Sequence, residues 1–373
     1  MTIIGMVIMP HLRNRDALAL LKRKLAFSPV VSIQGARQTG KSTLARDVLR
    51  GQFYLTLDRP ATLAQAREST EVFLEDARVQ ADKKLLVIDE AQKAPPLFDT
   101  VKYLVDQDKR PGQFLLLGST EFSKEILIRE ALTGRLSRLR LYPMTLGESL
   151  KLPFRELSAD GIFDSPSRIT RAQLVKYLGH GGYPGIFAAR DSLERSQRWE
   201  DLLNLTCERD ALQFPKLKGD PLLCRRILSL AATLEEPTQA AFTASLRASG
   251  KKVATQLLIL RQLFMLHDVP PHPLGTGKTR YFLNDAGLAS HLKAPWERRM
   301  ETAAYLEHFA RRAYSATPRP ELYFYRTSKG STIHFVTQAS PRQLHAQKLV
   351  HGERLDHREF VALYALRKKA QAA

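Results

Sequence analysis

The segment GARQTGKST (35–43) constrains this chain more than any other feature; VVSIQ (30–34) precedes it and the helical pattern STLARDVLR runs on from it. It fits G-x-x-x-x-G-K-[ST], a loop whose glycines let backbone amides turn inward around phosphate oxygens. The setting is the required one, an apolar strand before the loop and a helix N-terminus after it, where the helix dipole favours an anion. Gly35, Ala36, Arg37, Gln38, Thr39, Gly40, Lys41, Ser42 and Thr43 are therefore expected to cradle the phosphates of ATP. Lys41, exposed in a cleft, would reach the β and γ phosphates, and Ser42 would hold Mg2+. A chance glycine turn would lack both flanking elements. GTGKT (275–279) is such a case: PPHP precedes it, which no central strand tolerates, and YFL follows instead of a helix.

LLVIDEAQ (85–92) supplies a second half. Its apolar run puts Asp89 at the C-terminal end of a buried strand, where open parallel sheets bind their ligands. Asp89 is expected to bind the Mg2+ ion through water, and Glu90 to orient or deprotonate an attacking water. QFLLLGST ends in Ser119 and Thr120, polar groups placed to sense a γ-phosphate or position water, against the plainer reading of a strand that simply ends at a Gly-Ser turn. The basic segment REALTGRLSRLRLYP (129–143) offers Arg135 as an arginine finger, in cis or from a neighbouring subunit, against the reading of an ordinary solvated arginine.

Between residues 30 and 147, short apolar runs (30–34, 53–58, 85–89, 113–119) alternate with helical patterns, which predicts an α/β fold with a parallel sheet covered on both faces. Residues 11–26 read as an amphipathic helix leading into the first strand. The chain is long enough for several domains. We place the nucleotide domain at 1–150 and a mostly helical region at 151–221, broken by GHGGYPG. At 222–295, three amphipathic segments break at Glu235–Pro237 and Gly250, which suggests a winged helix, with VPPHPLGTGKTRYFL as the wing. A tail at 296–373 has a helix, two strand-like runs and a basic helical end.

The formal net charge is +19, from 57 Lys and Arg against 38 Asp and Glu. Such an excess favours a polyanionic partner through counterion release, with DNA preferred to RNA; the plainer alternatives are a solvated basic surface or an acidic protein. Two cysteines, Cys207 and Cys224, make no disulfide framework, no apolar run is long enough to span a bilayer, and MTIIGMVIMPHLRNR is a poor signal peptide. A cytoplasmic protein without a membrane segment is expected.

Together GARQTGKSTLA, LLVIDEAQKAP, LLLGS, LTGR and LYPMTLGES resemble a family of bacterial and archaeal AAA+ ATP-binding proteins with a C-terminal domain of unknown function. The resemblance continues through GGYPG, CERDA (207–211) and YFLNDAGLASHL (281–292). It implies an AAA+ core, a helical and winged-helix middle, and a tail similar to PD-(D/E)XK nucleases. The tail departs from that pattern. Glu307 remains in LEHFA, but Thr332, His334 and Ala346 stand where carboxylates would be, with Lys348 kept. Nuclease chemistry needs clustered carboxylates to hold its metal, so cleavage is not expected.

The leading expectation is an AAA+ ATPase that couples nucleotide state to nucleic-acid binding. The alternative is a nucleotide-dependent switch that binds a partner protein and turns over slowly. Either is compatible with a homo-oligomer.

Overall fold

The computed structural model describes residues 13–49, 51–120, 132–154, 169–214, 216–315, 320–340, 343–350 and 356–372. The opening peptide, residues 129–131 of the basic segment and part of the first helical region (155–168) lie outside them.

Five strands form one parallel sheet: β1 (Val30–Gln34), β2 (Gln52–Thr56), β3 (Leu85–Asp89), β4 (Phe114–Gly118) and β5 (Leu136–Arg140), in the order β2-β3-β4-β1-β5. Successive side chains along a strand face opposite ways, so each central strand feeds two cores. Leu86, Ile88, Phe114 and Leu116 pack under the helices Thr70–Ala81 and Leu97–Gln107. Val31, Ile33, Val87, Leu115 and Leu117 face the other way, onto the helix Ala17–Leu25. β5 escaped the sequence reading because LSRLR alternates polar and apolar residues and reads as a basic run; it is the edge strand beside β1.

The middle of the chain is helical, with Arg171–His180 and Ser192–Asn204 followed by Pro221–Thr233, Gln239–Leu246 and Gly250–Gln262. Side chains of Asp220, Thr238 and Ser249 cap the last three by accepting from Leu223, Ala241 and Lys252 amides, so the chain turns where the sequence breaks were read. The last helix ends at Gln262, Phe264 takes φ +60° just after it, and β6 (Leu266–Val269) begins an antiparallel hairpin with β7 (Arg280–Leu283). Thr238 adds a bridge to Arg280. GTGKT lies in the loop between these strands, with no helix after it.

The tail holds the helix Trp296–Tyr314, the antiparallel strands β8 (Glu321–Arg326), β9 (Thr332–Ser340) and β10 (Gln343–Gln347), and the helix His357–Ala372. Its first helix is not peripheral. Leu306, Ala310, Ala313 and Tyr314 lie in the same core as Val31 and Leu115, so the tail completes one face of the five-stranded sheet. A cut before residue 296 would expose that face to water.

Candidate functional site

The phosphate loop leaves β1 at the centre of the sheet, and the backbone reasons for its glycines are local. A Cβ at Gly35 would lie 2.1 Å from the Leu141 carbonyl oxygen, because Leu141 N–H donates to the Gln34 carbonyl (2.7 Å). Gly40 sits at φ +95°, a conformation that disfavours side chains. From Lys41 the chain is helical (Lys41–Thr43), continuing with π geometry through Leu44–Val48.

Lys41 was expected to be exposed in a cleft. It is buried instead, at 5% exposure, with its ammonium folded back to donate to the Gly35 and Ala36 carbonyls (both 2.8 Å). Burial pushes its pKa down to about 8, with Glu90 and Asp89 acting the other way. An ammonium satisfied only by loop carbonyls sits where phosphate oxygens would be better acceptors.

The Asp-Glu pair closes the site from β3. Ser42 Oγ donates to Asp89 Oδ2 (2.6 Å), and the Tyr54 hydroxyl on β2 donates to the same oxygen. Burial, then this bond to Asp89, holds the Tyr54 phenol above its ordinary pKa. Glu90, at φ +58°, turns off the strand end and accepts from Ser119 Oγ (3.1 Å) and from Gln92. β4 lies between β1 and β3, which is why Ser119 at its end falls beside Glu90. Arg37 reaches across the loop. Its Nη1 is 4.0 Å from Glu90 Oε1, and its Nη2 donates to Asp210 Oδ1 at 3.1 Å while Nε binds Oδ2.

Residues that fit Mg2+ and a triphosphate are thus present together: a glycine cradle, a buried lysine, and a hydroxyl–carboxylate pair. Gln38 (φ 59°), Thr39 and Thr43 complete the loop, with Thr39 Oγ1 donating to the Ala36 carbonyl. Arg135 does not join them. It precedes β5, whose first residue pairs with Val30 at the start of β1, whereas the loop follows the end of β1. Its guanidinium binds Asp106 (2.5 Å). Arg135, offered by the sequence as an arginine finger, thus stands at the opposite end of the sheet from the loop.

Sequence reasoning missed several contributors. Arg15 is buried and donates to the Thr39 carbonyl (2.7 Å), the Tyr142 carbonyl (2.6 Å) and Glu148 Oε1 (3.0 Å), so it ties the loop to LYPMTLGES. Nothing in the sequence distinguishes Arg15 from other basic residues of that segment. Tyr54, Gln92 and Asp210 were also unassigned, although Asp210 stands in CERDA. GHGGYPG is placed by contact: Asp285 accepts from the amides of Gly182 (2.6 Å), Gly287 (2.7 Å) and Leu288 (3.0 Å), and Pro184 would meet a Cβ at Gly40 at 3.7 Å.

In the tail, Glu307 pairs with Arg311 (3.1 Å), and burial raises its pKa. His334 Nδ1 accepts from the Leu349 amide (3.0 Å), and Ala346 sits opposite Val336 in the meander. Glu307, His308, Arg311 and Lys348 line a cavity of about 300 Å³. Among the described residues, no group of three or more His, Cys, Asp or Glu side chains is placed to hold a metal ion.

A parallel sheet with a phosphate loop after β1 and an Asp-Glu pair ending β3 defines a P-loop domain of the ATPase class. Residues 27–150 match a family described as an AAA domain, and residues 171–298 match a domain of unknown function. Uncharacterized protein Rv2008c of Mycobacterium tuberculosis and Uncharacterized protein Mb2031c of Mycobacterium bovis are each 27% identical over 345 residues, a span of 89% of this chain and 72% of theirs. Among solved structures, the Walker-type ATPase PABY2304 of Pyrococcus abyssi aligns at 15% identity and TM-score 0.47, over 76% of this chain and 97% of that one. A STAND-type signal-transduction ATPase with a tetratricopeptide-repeat sensor, PH0952 of Pyrococcus horikoshii, aligns at 12% identity and TM-score 0.29, over 80% of this chain and 45% of that one.

Proposed function

We propose that this chain binds and hydrolyses Mg2+-ATP and couples its nucleotide state to nucleic-acid binding, DNA in preference to RNA. The observation that carries the ATPase reading is the continuous set Ser42–Asp89 and Glu90–Ser119 beside the buried Lys41. Lys41 and the loop amides would hold the β and γ phosphates, and Ser42 and Asp89 would hold the cation. The cation held by Ser42 and Asp89 would supply positive charge against the charge that develops on the phosphates. Glu90 takes the proton of the attacking water, and Ser119 orients the Glu90 carboxylate through its bond to Oε2.

The nucleic-acid half rests on charge and on the middle of the chain. Three capped helices, a hairpin and the Thr238–Arg280 bridge support the winged-helix reading, with 270–279 as the wing. The helix Gly250–Gln262 opens with exposed Lys251 and Lys252, and Arg226, Arg247 and Lys252 line one cleft beside its start. Side chains of this kind suit phosphates more than base edges. The tail carries fourteen Lys and Arg against seven Asp and Glu and would add phosphate affinity without cleavage. Homo-oligomerisation is compatible with this reading, and no helix among the described residues is long and apolar enough to cross a membrane.

A second reading, a regulator that binds a partner protein, has its own observation. A cavity of about 440 Å³ beside edge strand β2 is lined by Phe53, Leu55, Val72 and Phe73 with Glu68 and Asp76, a mixed surface of protein-contact type. Measuring ATP turnover with and without duplex DNA, and with RNA, separates the two. Stimulation by DNA that fades as salt rises supports the first reading. Turnover indifferent to both nucleic acids overturns it in favour of the second.

A further inference from the structure

We infer that Arg37 is a γ-phosphate-reading arginine carried in the P-loop itself, and that Asp210 is the partner it gives up when ATP binds. The inference rests on the ATP-binding reading and adds to it a route from the nucleotide to the helical middle of the chain. Arg37 is the third residue of the loop, on the Glu90 side of the site, where the terminal phosphate would lie. Its side chain keeps 19% exposure, whereas the Asp210 side chain keeps 3%. The arginine can therefore meet an incoming anion, but the aspartate has little water to replace a lost cation.

That asymmetry makes the pair a coupling element. Arg209, a mostly exposed side chain whose Nε lies 3.7 Å from Asp210 Oδ1, is the cation left to Asp210 when Arg37 leaves, so the buried carboxylate is drawn toward Arg209 and solvent. The backbone around Asp210 is suited to such a shift. The helix Ser192–Asn204 passes into a π turn at Leu205–Arg209 and then a 3-10 turn at Asp210–Gln213, and such irregular turns recur at functional hinges. Cys207 and Ala211, flanking Asp210, pack in one core with Trp199, Leu202, Ile227 and Leu228. Displacement of this turn is thereby felt by the helix Pro221–Thr233, the first of the three proposed to meet nucleic acid. A static clamp would use the same bonds but would not distinguish ATP from ADP.

Calorimetry on the full chain with Mg2+-ADP and a non-hydrolysable ATP analogue, together with hydrogen exchange of residues 205–213, tests the exchange. Asp210→Asn is expected to tighten the analogue about ten-fold, the scale of one charge-assisted bond, while changing ADP affinity by less than about two-fold. Arg37→Gln should weaken the analogue to the level of ADP, and Asp210→Asn added to it should then have no effect, which separates partner exchange from general charge repulsion. In the wild-type chain, residues 205–213 should exchange faster with the analogue than with ADP. Binding of neither nucleotide would sink the ATP-site reading itself. Binding of both, with equal exchange in 205–213 or equal shifts for the two nucleotides in Asp210→Asn, would overturn this inference alone. Should Asp210→Asn fail to fold, the wild-type exchange comparison decides.

Discussion

Ser42 Oγ and Asp89 Oδ2 meet at 2.6 Å across 47 residues of sequence, joining the phosphate loop to the end of β3. Under the proposed function this pair would hold the cation. Asp89→Asn should therefore lose the Mg2+-dependent gain in nucleotide affinity, by about 10- to 100-fold, while Mg2+-free affinity changes little. Titration with and without Mg2+ measures it; an intact Mg2+ effect would remove Asp89 from the cation site.

Lys41 predicts a pH dependence. Its pKa of about 8 is lower than the ordinary 10.5 because burial opposes the charge. Phosphates favour the charged form, so binding takes up a proton once pH exceeds about 8. Affinity for ATP should be flat below that pH and fall above it, by up to about ten-fold per unit. The sign for stability is opposite: between about 8 and 10.5 the unfolded chain holds the extra proton, so stability gains from Lys41 as pH rises. Lys41→Ala should abolish the pH step in binding together with most of the affinity, and a step that survives in this variant would assign it to another group.

Glu90→Gln should keep Mg2+-ATP binding and slow hydrolysis by about 10²-fold or more, the loss expected when a general base is removed. Single-turnover hydrolysis under saturating ATP is the measurement. Wild-type rates in the variant would mean that another group positions the water.

Arg135 stands at the far end of the sheet from the phosphate loop and is paired with Asp106. Arg135→Ala should leave turnover of a monomeric preparation within about two-fold and cost less than about 1 kcal/mol of stability, as exposed pairs do. A larger, concentration-dependent loss of turnover, partly restored by mixing with Lys41→Ala subunits, would instead establish a role across a subunit boundary.

Gly182→Ala addresses the junction beneath the loop. The added Cβ would lie 2.0 Å from the Met144 carbonyl oxygen, which is backbone and has no rotamer to change. A loss of about 1–3 kcal/mol is expected, as for overpacked sites, read as a lower denaturation midpoint. Gly179→Ala, where an added Cβ meets nothing within 4 Å, is the control. Equal behaviour of the two variants would contradict the close approach.

The sequence by itself determined the phosphate loop, the Asp-Glu pair and three central strands, because each of these is written in a short stretch. VVSIQ and LLVID occupy Val30–Gln34 and Leu85–Asp89 as read, since continuous apolar runs must be covered on both faces. The breaks at Glu235–Pro237 and Gly250 between the amphipathic segments were legible for the same local reason, and the helices Gln239–Leu246 and Gly250–Gln262 start at or just after them. Tertiary structure alone decided that Arg15 holds the loop from below, that Arg135 stands away from it, and that Asp210, from a segment 173 residues after Arg37, reaches the loop at Arg37. It also decided that the helix Trp296–Tyr314 completes the sheet's core. Charged side chains carry no periodic signal that says which distant backbone they meet. Burial, which lowers the Lys41 pKa and makes the Arg37–Asp210 pair costly to break, exists only once several segments have packed together.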